Sequence, residues 1–295
     1  MATEEVDTVP SSPLTLRRRE LANALRALRR ATGMTIEDVA GELMVSAAKI
    51  SRLETGQRGV SLRDVRDLCR LYGVTDQARI DALMALARQA KEPGLRHQLG
   101  NLGDDVVYPY IELEDDASSI TEFQCSFLPG LLQTEEYARA LIKGMLPRIE
   151  ESVLTSRVEA RMKRKELLRR KDAPNYWTLI DDAALHRQVG NPHLMRRQLL
   201  DIVKTSEQSN VVVQVIPFSA GAYMGLDNSF AFLESPDSSI PAVVFIEGLT
   251  SMDYLEKPEH LEPYREAIRY LSAVALSPQE SVSRIVEVCD KNFPS

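Results

Sequence analysis

Within seven residues, Ser46 to Arg52, the chain places two alanines, a lysine, two serines and an arginine. These residue types suit the edge of a base pair and the phosphates beside it. A guanidinium can grip guanine O6 and N7 with two parallel hydrogen bonds, and an alanine lets a helix sit close enough to touch a thymine methyl. If the segment is helical, Ile50 and Leu53 mark its inward side, and at about 100° per residue Ala48, Ser51 and Arg52 point away from it. Such chemistry needs a polyanion, yet the 295 residues carry a formal net charge of -7.

Other chemistry-bearing residues offer less. His97, His186, His193 and His260 are the only histidines; Asn191-Pro192 breaks any helix face shared by His186 and His193, so no metal site is expected. Asp181, Asp182 and Glu247 fall at the ends of predicted strands, where capping and surface charge account for them. No Ser/His/Asp or Cys/His order stands out, and the loop SAGAYMGLDN lacks the spacing of a P-loop or a dinucleotide fingerprint. The expectation is a chain with no cofactor and no catalytic activity. Cys69, Cys125 and Cys289 are odd in number, far apart and set in apolar segments, so they read as buried thiols. Tyr176 and Trp177 could wall a pocket but read as packing.

The charge conflict resolves by segment. Residues 14–90 hold 14 lysines and arginines against 9 acidic residues, a net +5, while residues 91–295 sum to -9 and residues 1–13 to -3. A basic block on an acidic body can approach a phosphate backbone with one end while the body is repelled. No run of about 18 apolar residues occurs and the first residues are acidic and polar, so neither a membrane span nor a signal peptide is expected, and a cytoplasmic protein is.

The basic block must supply the scaffold. Leu16, Leu21, Leu25 and Leu28 recur at helical spacing, with Gly33 placed to end the helix. Taken alone, Arg17, Arg18 and Arg19 read as a solvated face. Thr35 with Asp38 is a capping-box signature opening a helix of barely two turns. Ser46 can cap a third helix that stops at Gly56, Ser61 with Asp64 opens a fourth, and QARIDALMALARQA supplies a fifth.

The order LR..R...GMTIEDVA..L.VS...ISRLE.G resembles the Cro and phage-repressor type of helix-turn-helix domain, the xenobiotic-response-element family, over residues 14–90. That resemblance implies that the third helix enters the major groove of DNA. It implies phosphate contacts from Thr35 and Ser46 at helix N-termini, and a reading surface of Ala47, Ala48, Lys49 and Arg52, which helical geometry extends to Ser51. Arg58, past Gly56, would meet the backbone. It also implies an Arg29–Glu54 pair that orients the reading helix. The chain departs from the pattern at Met44, where many members have glycine, and at Ile36, where a glutamine often contacts DNA. One such module buries only about 600–1,000 Å² on DNA, so a homodimer on a two-fold operator is expected.

Residues 1–13 read as a disordered acidic tail and 91–107 as a linker. Residues 108–295 read as a mixed domain, a small sheet from YWTLID, NVVVQVIPF, SFAFLE and AVVFIEGL with helices around it, giving an α+β chain overall. The basic segment 152–171 reads as a solvated helix face over Val158, Met162 and Leu168. LPGLLQTEEYARALI, DDAALHRQVG, QVIPFSAGAY and VVFIEG with ALSPQES resemble the domain of unknown function that follows the helix-turn-helix in many actinobacterial regulators, the sporulation-associated WhiJ-like proteins among them. The resemblance implies a body that dimerises and senses a ligand or a small partner protein encoded nearby. The sum is a transcriptional regulator, a repressor by expectation; the alternative is an antitoxin-like protein that binds a small toxic partner and regulates its own operon.

Overall fold

The computed structural model describes residues 16–90, 99, 102, 107–236, 241–249 and 251–294. The acidic tail and most of the 91–107 linker lie outside these residues. The chain is α+β: an all-helical N-terminal region precedes a body built on a six-stranded mixed sheet.

The helical region comprises α1 (Leu16–Thr32), α2 (Ile36–Glu42), α3 (Ala47–Glu54), α4 (Leu62–Leu71) and α5 (Gln77–Gln89). Leu21, Leu25 and Leu28 of α1 meet Val39, Ile50, Leu53, Val65, Leu68 and Leu83 in one core. Each fully buried aliphatic side chain there contributes about 1.5–3 kcal/mol. Capping boxes open α2 at Thr35 and α4 at Ser61, and the Ser46 hydroxyl accepts from Lys49 N at the start of α3. Gly33 and Gly56 follow α1 and α3 with φ of 74°, the left-handed turn that ends a helix without a Cβ clash.

The turn between α2 and α3 takes the same form without glycine. Met44 has φ 52°, and the donors Met44 N and Val45 N close onto Gly41 O at 3.1 Å and Ala40 O at 2.9 Å. These are the paired closing bonds of a Schellman motif. The Met44 side chain is 91% exposed, so no packing offsets the backbone strain.

In the body, α6 (Val107–Asp116) leads into β1 (Ser119–Gln124), then α7 (Glu135–Met145) and α8 (Glu151–Lys165). Next come β2 (Asn175–Asp181), α9 (Asp182–His186), α10 (Pro192–Thr205) and β3 (Val211–Ile216). The chain closes with β4 (Phe230–Glu234), β5 (Val243–Glu247), β6 (Met252–Leu255), α11 (Pro258–Val274) and α12 (Pro278–Asn292). The sheet order is β3-β2-β1-β4-β5-β6, with β1, β2 and β3 parallel and the other pairings antiparallel. Side chains alternate between faces. Ile120, Tyr176, Ile180, Val213 and Val243 belong to a core with residues of α7, α10 and α12, while Phe123, Leu179, Phe232 and Val244 pack with Leu261, Ala267 and Leu271 of α11.

Three elements depart from the sequence expectation. SITEFQ, which is not among the segments read as strands in the sequence, is the central strand β1, and β6 adds an edge. The basic face of α8 is not solvated. Arg164 pairs with Glu114 through Nε at 2.6 Å and Nη2 at 2.9 Å, Arg161 donates to Gln133 Oε1 at 2.7 Å, and Lys165 pairs with Asp201. Burial and the neighbouring Arg164 pull the Arg161 guanidinium down to about 10. These three cations turn inward because α6, the α7 entry and α10 present acceptors to them, while Arg169 and Lys171 stay exposed. Among the described residues, no helix is long and apolar enough to cross a membrane.

Candidate nucleic-acid interface

The surface built around α3 begins with how that helix is held. From α1, Arg29 donates through Nε to Glu54 Oε1 at 2.7 Å, through Nη2 to Oε2 at 2.9 Å, and through Nη1 to Met34 O at 2.8 Å. Arg26 adds a bond from Nη2 to the Glu54 carbonyl at 2.6 Å, taking up one of the acceptors a helix C-terminus leaves open. The hydrogen bonds that it donates to the Glu54 carboxylate hold the Arg29 guanidinium above its ordinary value despite burial. At the other end, Lys49 Nζ lies 2.7 Å from Asp64 Oδ1, and the second Asp64 oxygen accepts from Ser61 N at 3.0 Å. Burial pushes the Asp64 carboxyl up, but Lys49 and Ser61 outweigh it and leave it below the usual carboxylate range. Thus α3 is braced from α1 at its C-terminus and from α4 at its first turn.

Between these braces lies a free face. Ala48 and Arg52 are exposed, Ser51 is half-buried, and Arg52 Nε folds back to the Ala48 carbonyl at 3.2 Å. Arg58 is exposed in the following loop, its N–H bonded to Arg52 O at 3.0 Å. Thr35 and Ser46 are exposed at the N-termini of α2 and α3, each hydroxyl accepting a bond from its own helix, Asp38 N at 3.1 Å and Lys49 N at 3.2 Å. The capping Asp38 carboxyl is lowered by the Thr35 N–H and hydroxyl.

Two residues of the expected reading surface sit differently. Ala47 is half-buried against the helical core, and the Lys49 ammonium is spent on Asp64. Arg26 and Asp64 were missed as site residues. The capping signature of Asp64 was visible, but its bond to a lysine 15 positions away was not.

In the body, the residues weighed for chemistry have structural partners. Asp181 caps α9 through Ala183 N at 2.7 Å and accepts from the Tyr223 hydroxyl; Asp182 takes a two-point contact from Arg284 at 3.1 and 2.6 Å. The His186 ring stands 2.6 Å from Asn292 Nδ2 through Nδ1 and near Asp182 through Nε2. Glu247 is exposed, Tyr176 donates to Glu122 at 2.5 Å, and Trp177 Nε1 donates to Gln214 at 2.8 Å. Cys69 and Cys289 are buried, Cys125 is half-buried, and all three are free thiols.

A short helix joined through a tight turn to a braced, solvent-facing second helix is the arrangement of a helix-turn-helix, the class of domain found in DNA-binding regulators. Comparison agrees, since a family model for a helix-turn-helix domain matches residues 20–83. A second model, for a domain of unknown function (DUF5753), matches residues 108–287, more than half of the chain, and the chain belongs to that family. No curated protein and no solved structure matches it.

Proposed function

We propose that this chain is a sequence-specific transcriptional regulator, acting as a repressor, that binds an operator as a homodimer in the cytoplasm. The observation that carries the reading is the braced α3 with Ala48 and Arg52 left exposed, flanked by Thr35, Ser46 and Arg58. Arg52 reads a base, the Ala48 methyl lies against the groove floor, and the two capped helix ends with Arg58 meet phosphates. Lys49 acts as a brace in the free protein. The body supplies the dimer contact and the surface on which a small partner protein or ligand is sensed. We also read the body as non-catalytic, and the commitment of Asp181, Asp182 and His186 to Tyr223, Arg284 and Asn292 supports that reading.

The test is selection of bound duplexes from a random pool by the full-length chain, followed by affinity measurements across salt. A recovered two-fold sequence whose affinity falls steeply with salt, as release of several counterions requires, supports the proposal. Recovery of no preferred sequence ends it.

A further inference from the structure

Of the arginine run at the start of α1, Arg18 is exposed, but Arg17 and Arg19 turn to the body. Arg17 Nε lies 2.6 Å from Asp116 Oδ1, and the Arg17 N–H donates to Asp116 Oδ2 at 3.3 Å. Arg19 is only 8% exposed and its guanidinium pairs with Glu256. Asp116 closes α6 and Glu256 lies between β6 and α11, so the body grips α1 from two separate elements.

The acidic end of α6 shows why this grip is specific. Glu114 has the body's Arg164 and Asp115 has the body's Arg170, 2.5 Å away. Asp116, with its side chain 7% exposed, takes its cation from the DNA-binding region. Undocking that region takes away the cation paired with the Asp116 carboxylate, and pairs of this kind fix geometry more than they stabilise. Along α1, nine residues beyond Arg17, begin the contacts of Arg26 and Arg29 with Glu54 on α3. α1 has neither glycine nor proline in its 17 residues. From Arg17 to Arg29 it spans about 18 Å at 1.5 Å per residue.

We infer that α1 is a lever: its first turn is latched to the body at Asp116 and Glu256, its second half holds the reading helix, and the body thereby sets where that helix stands. Anything that takes Asp116 or Glu256 from the arginines frees the reading helix from the body. The functional half rests on the DNA-binding reading; the mechanical half does not.

The test uses the full chain with spin labels at Ala82→Cys and Lys204→Cys, both exposed positions, in a Cys125→Ser background, diluted with unlabelled chain so that only intrachain distances are read. The parent gives one narrow distance distribution. Arg17→Ser with Arg19→Ser broadens it, as does Asp116→Arg, and pairing Asp116→Arg with Arg17→Asp narrows it again, which separates a broken latch from a broken fold. A broad parent distribution, or a narrow one in the double serine variant, overturns the latch. On the selected duplex the double serine variant loses about tenfold in affinity, because ordering is then deferred to binding, while affinity for random duplex is unchanged. Equal affinity for the selected duplex despite a broadened distribution overturns the lever. If the parent selects no sequence, the DNA reading fails, and the distance measurement still decides the latch.

Discussion

Arg29 and Glu54, 25 positions apart, meet through two parallel hydrogen bonds of 2.7 and 2.9 Å in a site where their side chains are only 12% and 4% exposed. A fork-to-carboxylate contact of this kind permits one relative orientation of α1 and α3. Its role in the domain follows from that restriction rather than from its net energy.

Arg29→Ala leaves the Glu54 carboxylate buried without its cation and should destabilise the helical domain by about 3–5 kcal/mol. Replacing both residues, Arg29→Met with Glu54→Leu, should restore most of that loss while weakening selected-sequence binding. Urea unfolding and affinity measured on the same variants check the pair. Full binding by the apolar double variant would show that the orientation is set elsewhere.

Arg52 makes one bond to its own helix and otherwise faces solvent. Arg52→Ala should cost about 1–3 kcal/mol on the preferred duplex and relax the preference at one base-pair position. Repeating the selection with the variant reads this directly. A loss equal on all sequences would make Arg52 a phosphate contact.

Met44 holds φ 52° with its side chain almost wholly in water. Met44→Gly removes the Cβ clash of the left-handed turn and should stabilise the domain by about 1 kcal/mol. Chemical denaturation checks it, and a destabilised variant would mean that the greater freedom of glycine in the unfolded chain dominates.

Much of this architecture was legible because it is local. Thr35, Ser46 and Ser61 announce helix starts, Gly33 and Gly56 announce stops, and the leucines of α1 announce a face; all depend on neighbours within a few positions. What was hidden depends on distant partners. SITEFQ has only two apolar residues, Ile120 and Phe123, and they fall on opposite faces, yet Glu122 is buried in the centre of the sheet, where Tyr176 supplies a hydroxyl to it. The arginines of α8 and of the α1 start look like surface until Glu114, Gln133, Asp116 and Glu256 are brought to them. Within the interface, periodicity gives the direction of Ala48 and Arg52, but the recruitment of Lys49 by Asp64 is a tertiary fact.

Asp116 gives the latch a pH dependence with an unusual sign. Burial pushes its carboxyl up to about 6; Arg17 pulls it down, and Asp115 and Glu112 add to the rise. Because the folded value lies above the ordinary value of 3.8, protonation favours the folded chain. That contribution is complete below about pH 4 and is lost as pH rises through about 6. Asp38 and Asp64, held below their ordinary values, act in the opposite sense, so total stability alone does not isolate the group. The difference between the parent and Asp116→Asn does: from pH 7 to pH 4 the parent should gain stability relative to the variant in urea unfolding. By the same linkage protonation does not open the latch, so the intrachain distance distribution of the parent should be no broader at pH 5 than at pH 7. A stability difference that does not change with pH would place the Asp116 titration outside this window and leave the latch insensitive to mild acid.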